Sequence, residues 1–233
     1  MLKRFEEYNL QKNFFGQNQK LLIAVSGGVD SMVLANVLLS LGYSFGIAHC
    51  NYQLRGKDSE KDQQLIEDFA HKTGISLHVK RVDTERLVKE SSSSIQMIAR
   101  ETRYEFFDSL MDEYGYERAL LAHNADDRIE SLLMNILRGT GFRGFQGMPV
   151  RRGKYVRPLS FARKKEIREF AKQNQISYRE DSSNSEIYYQ RNWVRLRLVP
   201  MLRNHSPKIE SRLLSFIHET EEKLSECERF VSE

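Results

Sequence analysis

Leu21-Leu22-Ile23-Ala24-Val25-Ser26-Gly27-Gly28-Val29-Asp30-Ser31-Met32-Val33-Leu34-Ala35 is a strand, a turn and a helix in one short stretch. The apolar run 21–25 reads as a strand buried on both faces. Two glycines then let the chain turn sharply and bring its backbone close to an anion. Met32, Val33, Ala35, Asn36, Val37 and Leu38 continue as a mostly apolar helix, and the amides at its start point back at whatever the turn encloses. Ser26 and Ser31 add hydroxyl donors. Asp30 by itself would repel a phosphate, and it becomes favourable there when Mg²⁺ lies between the two. Ser26, Gly27, Gly28, Val29, Asp30 and Ser31 therefore read as a phosphate cradle. No Lys follows the glycines, so this is not a Walker A loop.

Outward from this stretch, short apolar runs at 21–25, 45–49, 77–82, 119–122 and 155–159 alternate with segments of helical spacing, the pattern of βαβ units. The expected fold class is α/β, a parallel Rossmann-like sheet with helices on both faces, followed by a C-terminal helical segment. Ser59-Glu60-Lys61-Asp62 has the form of a capping box, ahead of Leu65, Ile66, Phe69 and Ala70 at helical spacing and Gly74 as a stop. Ser91-Ser92-Ser93-Ser94 reads as a linker and N-cap for a helix carrying Ile95, Ile98, Ala99, Thr102, Phe106 and Leu110. After Ser206, positions Leu213, Ile217, Thr220, Leu224, Cys227 and Val231 recur at alternating spacings of four and three. They predict one long amphipathic helix with a narrow seam.

A chain of 233 residues accommodates one large domain and an appendage. With 40% hydrophobic and 29% charged residues the composition is that of a globular protein, and no apolar run approaches the ~18–20 residues of a membrane span. Met1-Leu2-Lys3-Arg4-Phe5-Glu6-Glu7 has no signal-peptide core. A cytoplasmic location without a membrane partner is expected. Cys50 and Cys227, the two cysteines, offer neither a disulfide framework nor a CxxC pair nor a zinc cluster. The net charge of +4 conceals an asymmetry. Lys and Arg number 16 against 20 Asp and Glu over residues 1–137, 16 against 5 over 138–203, and 4 against 7 over 204–233. Positive charge so segregated points to a polyanionic partner larger than a nucleotide.

The hexapeptide at 26–31 resembles the PP-loop of the ATP pyrophosphatases, enzymes that split ATP between its α and β phosphates. The resemblance implies adenylation of a substrate oxygen, with pyrophosphate as the leaving group held by the loop. Further segments resemble the tRNA(Ile)-lysidine synthetase family. His49-Cys50-Asn51-Tyr52-Gln53-Leu54-Arg55 is similar to its HxNHxLR, with Tyr52 where a histidine is usual. Ala99-Arg100-Glu101-Thr102-Arg103-Tyr104 is similar to its AREXRY helix, and His123-Asn124-Ala125-Asp126-Asp127-Arg128-Ile129-Glu130-Ser131 to its HNxDDxxET, with Ser131 in place of Thr. Arg138-Gly139-Thr140-Gly141-Phe142-Arg143-Gly144, Asp181-Ser182-Ser183-Asn184 and Arg191-Asn192-Trp193-Val194-Arg195 complete a pattern covering about residues 20–200. The resemblance implies a PP-loop catalytic domain at 1–205, with a basic RNA-facing part at about 138–203. It implies that 206–233 is a helix linking to a C-terminal domain missing from this sequence. ATP and Mg²⁺ are the implied cofactors. CAU-anticodon tRNA(Ile) and free L-lysine are the implied partners, with a homodimer left open.

His123, Asp127 and Glu130 stand at i, i+4 and i+7, which would place them on one face of the helix after the fourth strand. That helix starts at the carboxyl end of its strand, where parallel sheets bind ligands. Asp30, Asp127 and Glu130 are the expected metal ligands and catalytic carboxylates, while His123 either donates to a phosphate or moves a proton. The plainer alternative is that Asp126 and Asp127 only favour the helix N-terminus electrostatically. His49 joins the ATP-binding set through the resemblance. Arg100 and Arg103 share their helix with Glu101 and Glu105, so an intrahelical salt-bridge surface competes with a functional role; Tyr52 admits stacking on a base. RNA contacts are expected from Arg138, Arg143, Arg151, Arg152, Lys154, Arg191 and Arg195. Two rival readings stay open. One is a tRNA thiolase sharing the loop, whose chemistry resembles systems needing paired cysteines; the other is an inactive nucleotide- and RNA-binding module.

Overall fold

The computed structural model describes residues 1–53, 56–83, 95–180 and 190–232. Along the chain run α1 (Leu2–Lys12), β1 (Leu21–Ala24), α2 (Val29–Ser40), β2 (Phe45–Asn51), α3 (Lys57–Thr73), β3 (Leu77–Arg81), α4 (Ile95–Tyr114), β4 (Arg118–Leu120) and α5 (Ala125–Leu137). A 3-10 turn (Phe142–Gln146) leads to β5 (Arg151–Arg152), β6 (Tyr155–Val156) and α6 (Lys164–Gln173). Then come α7 (Gln190–Trp193), a π-helical turn (Val194–Leu198), α8 (Val199–His205) and α9 (Ile209–Ser232). Two compact units form: Met1–Ala122 with Arg151–Leu159 and Lys165–Glu180, and His123–Val150 with Ser160–Lys164 and Asp181–Glu233. Leu54, Arg55, the serine run at 91–94 and the segment 181–184 lie outside the described residues. Among those residues no helix is long and apolar enough to cross a membrane.

The first unit is α/β. Its described residues form a six-stranded sheet in the order β3-β2-β1-β4-β6-β5, parallel except that β5 runs antiparallel to β6. From β1 the chain moves outward through β2 to β3, then returns to set β4 on the other side of β1. The loop after β1 therefore stands at the topological switch point, where sheets of this kind leave a crevice. Leu22, Ala48, Ala119 and Leu121 pack against Phe107, Leu110 and Met111 of α4 and against Tyr116. The alternating residues Leu21, Ile23, Ile47 and Leu120 are fully buried on the opposite face. Both faces are covered, which is why these strands read as unbroken apolar runs. Helix α2 buries Met32, Val33, Leu34, Ala35, Val37 and Leu38 almost completely, as a helix apolar all round must.

All five expected strands are present with shifted ends, β2 running on to Asn51 and β6 stopping at Val156, and β5 is an addition. Arg151 and Arg152 are both exposed and carry no apolar signal. The capping box expected at Ser59 is corrected. Helix α3 begins at Lys57, with Gly56 as N-cap at φ 49°, a conformation that glycine adopts without strain. Ser59 and Asp62 are buried inside the helix, and Asp62 bonds to Arg179 instead.

The second unit is helical. Ile129 and Leu133 of α5 cluster with Val194 and Val199, and Leu213 and Leu214 of α9 pack on them. Ile217 and Thr220 are buried further along α9. The seam read from the sequence thus has a partner inside its own unit as far as Thr220. Cys227 is exposed, and the side chain of Val231 lies outside the described residues.

Candidate active site

The loop between β1 and α2 has the conformation its glycines suggested. Gly27 sits at φ +82°, where a residue with a side chain would be strained, although a Cβ there would meet Asp62 Cβ only at the ordinary contact distance of 3.5 Å. Gly28 is the N-cap of α2 and no side chain caps it, which leaves the helix's positively polarised end for a ligand. The serines brace the loop. Ser31 Oγ donates to Gly28 O (2.9 Å) and accepts from Ser26 N (3.2 Å), and Gly28 N donates to Ser26 Oγ (3.4 Å). With its proton committed to Gly28, Ser31 shapes the cradle rather than donating into it. Asp30 lies in the first turn of α2.

His49, on β2, is 4% exposed. Its Nδ1 is 2.8 Å from Val25 O and therefore carries the proton. Nε2 is buried without a hydrogen-bond partner among the described residues. Burial pushes the imidazole below its ordinary pKa, against the opposing effects of Val25 O, Asp62 and Glu67. The result is a neutral ring offering one buried acceptor.

Tyr52 is anchored rather than open for stacking. Its hydroxyl donates to Ala99 O (2.8 Å) and accepts from Arg103 Nε (3.0 Å), and the Arg103 guanidinium lies 5.5 Å from the ring centre. Burial raises its pKa to about 12 in spite of the Arg103 charge. Arg100 lies 4.9 Å over the Tyr104 ring. Both arginines thus stack on aromatics, an arrangement neither sequence reading named.

In the second unit His123 precedes α5 instead of lying on it, which corrects the shared face expected for it. Asn124 is the better N-cap and takes that position. Asn124 Oδ1 accepts from Asp127 N (3.1 Å) while Asp127 Oδ2 accepts from Asn124 N (2.9 Å), a complete capping box. Asp127 and Glu130 both face two arginines. Glu130, 3% exposed, accepts from Arg191 Nε (2.8 Å) and from Arg195 Nε (2.6 Å) and a terminal nitrogen of Arg195 (3.0 Å). Asp127 accepts from Arg191 at 2.8 Å. Arg195 stands in the π-helical turn, a feature frequent at functional sites. Asp126 is held by Arg163 and by the Lys164 N–H, and Glu210 joins Arg163 to Arg203. Among the described residues no three His, Cys, Asp or Glu side chains gather as a metal cage.

The expected RNA contacts separate. Arg151, Arg152 and Lys154 are exposed on the β5–β6 hairpin of the first unit, where Arg151 donates to Asn13 O and Lys154 lies 3.5 Å from Asp112. Arg138, Arg143, Arg191 and Arg195 belong to the second unit, with Arg138 3.3 Å from Gln190 Oε1. Arg191 and Arg195 engage carboxylates. Sequence reasoning missed Arg179, whose backbone N–H donates to Gly27 O at 3.0 Å. An arginine so distant in the chain gives no signal of that bond.

A glycine loop between a central parallel strand and a buried helix, at the switch point, defines a PP-loop domain, and a family model described as PP-loop domain matches residues 2–202. A tRNA(Ile)-lysidine synthase of Porphyromonas gingivalis is 42% identical, over 88% of this chain and 45% of its own length. One of Bacteroides thetaiotaomicron is 37% identical over 91% of this chain and 50% of its own. One of Chlorobaculum tepidum is 34% identical over 98% of this chain and 70% of its own. This chain belongs to the tRNA(Ile)-lysidine synthase family. It spans about half the length of the first two relatives. In fold it is similar to a U34-tRNA thiolase from Methanococcus maripaludis (TM-score 0.76, 17% identity, 94% of this chain, 78% of that one). It is also similar to an NH3-dependent NAD synthetase from Campylobacter jejuni (TM-score 0.55, 14% identity, 94% and 93%). At such identities the likeness shows the fold alone.

Proposed function

We propose that this chain is the ATP-consuming, C–N bond-forming part of a tRNA(Ile)-lysidine synthase. The C2 oxygen of the wobble cytidine in CAU-anticodon tRNA(Ile) attacks the α-phosphorus of ATP and pyrophosphate departs. The ε-amine of free L-lysine then bonds to C2, AMP leaves with that oxygen, and the ammonium proton passes to a carboxylate or water. The observation that carries this reading is the loop itself: Gly27 at positive φ and the uncapped start of α2 suit a pyrophosphate leaving group. The buried Nε2 of His49 supports it as an acceptor for a nucleotide N–H or O–H.

Mg²⁺, when bound, would neutralise charge on the departing phosphates. The residues fit it unevenly. Asp30 is the carboxylate we assign to it. Asp127 and Glu130 already have arginine partners, which makes them the poorer fit. Arg138, Arg143, Arg151, Arg152 and Lys154 are the RNA contacts proposed.

Incubation with CAU-anticodon tRNA(Ile), ATP, Mg²⁺ and radiolabelled lysine tests the reading. Label on the RNA together with pyrophosphate release is the expected result. Neither appearing would overturn it.

A further inference from the structure

Three contacts converge on Arg179, all within the first unit. Its backbone N–H donates to Gly27 O at 3.0 Å. Its guanidinium forks across α3, with Nε on Asp62 Oδ1 at 2.6 Å and a terminal nitrogen on Asp58 Oδ1 at 3.1 Å. The Asp62 side chain is 9% exposed and backs directly onto Gly27. The neighbouring Arg168–Glu180 pair is by contrast mostly exposed on both sides and has the weak character of a surface ion pair.

The Gly27 carbonyl and the Gly28 N–H belong to one rigid, trans peptide plane. Anchoring the oxygen on one side therefore fixes the direction of the N–H on the other. Gly27 has no side chain to hold this plane and can visit many conformations, and within the loop the Gly28 N–H has only the long 3.4 Å bond to Ser26 Oγ, so the plane needs support from outside. Arg179 supplies it, and Asp62 and Asp58 hold Arg179 in place with charge-assisted bonds of defined geometry.

We propose that Arg179 is a positioning residue for the loop: clasped by Asp62 and Asp58, it holds the Gly27–Gly28 peptide from its carbonyl side, while the Gly28 N–H rests on Ser26 Oγ at 3.4 Å, so that the loop has the conformation that receives the pyrophosphate group in advance. The proposal rests on the reading that this loop receives pyrophosphate. Preorganisation of this kind acts on affinity for the group the loop cradles and not on the rest of the nucleotide.

Calorimetric titration of the whole chain with Mg-ATP, with pyrophosphate and with adenosine separates the cases. Arg179→Gln and Asp62→Asn should each lower affinity for ATP and pyrophosphate by roughly tenfold, the scale of one charged hydrogen bond, with adenosine unchanged. Arg179→Lys keeps the charge but not the fork, and should recover part of the loss. Arg179→Gln binding pyrophosphate as tightly as wild type overturns the clasp alone. Equal weakening of all three ligands with a lowered melting temperature overturns it in favour of a purely structural pair. A wild-type chain that binds no pyrophosphate overturns the clasp and the proposed function together.

Discussion

Asp30, in the first unit, and Glu130, in the second, are both carboxylates that the sequence singled out, and their surroundings assign them different work. Asp30 stands in the first turn of α2, beside amides that attract an anion. Replacing it with Asn removes charge without volume. Asp30→Asn should lower tRNA-dependent pyrophosphate release by roughly a hundredfold or more with an unchanged melting temperature; near-normal release would remove Asp30 from the proposed metal site. Glu130 is buried between two guanidinium groups. Glu130→Gln, measured without Mg²⁺, should cost about 2 kcal/mol, the scale of a charged hydrogen bond, a drop of roughly 4–8 °C for a chain of this size. A carboxylate kept only for a metal would do the opposite, since its removal relieves repulsion in the metal-free protein. The loop was legible in the sequence because adjacent glycines between an apolar strand and an apolar helix permit the sharp turn found there. The carboxylate–arginine cluster was not, because its partners lie 61 and 65 residues apart and charge alone does not say which arginine meets which acid.

At the scale of elements, α9 is held on α5 by apolar and by ionic contacts. Ile217 is fully buried, Arg128 meets Glu221 at 2.5 Å, and Arg163 bridges Asp126 and Glu210. Burial alone would raise the pKa of Asp126 and of Glu210. Hydrogen bonds from Arg163 and the Lys164 N–H outweigh it at Asp126, those from Arg203 and Arg163 at Glu210, and both groups lie below their ordinary 3.8 and 4.5. Each takes up its proton more readily in the unfolded chain. The stabilisation is therefore complete at neutral pH and is lost as pH falls through the carboxylate range. Urea unfolding followed by the emission of Trp193, the single tryptophan, should show a midpoint that declines on acidification below about pH 4.5. Asp126→Asn should start lower at neutral pH and decline less steeply, and identical pH profiles would refute the assignment. Elements were legible where burial is two-sided, as in β1 and α2. β5 was missed because its shape comes from pairing, and the start of α3 was misplaced because a glycine and not a side chain stands at its N-cap.

At the scale of the whole molecule, folding recombines the charge that the sequence segregates. Residues 138–203 hold 16 basic and 5 acidic side chains, yet many of the cations meet acids from outside that segment. Arg163 meets Asp126 and Glu210, Arg179 meets Asp58 and Asp62, and Arg191 and Arg195 meet Asp127 and Glu130. The β5–β6 hairpin keeps Arg151, Arg152 and Lys154 at the surface, where Lys154 meets the exposed Asp112 at 3.5 Å. Exposed cations release counterions on meeting a nucleic acid, whereas balanced ones release few. Changing these three residues to Glu should weaken tRNA binding and flatten the slope of log affinity against log salt by about 2, each phosphate contact contributing roughly 0.7–0.9. ATP affinity should hold, because none of the three belongs to the loop. Arg191→Gln with Arg195→Gln should alter the slope less than the hairpin variant does, since their charges are already balanced. Filter binding between about 50 and 200 mM salt measures both slopes. An unchanged slope in the hairpin variant would move the RNA surface elsewhere, and a larger change in the Arg191 and Arg195 variant would mean that RNA displaces Asp127 and Glu130 from their arginines.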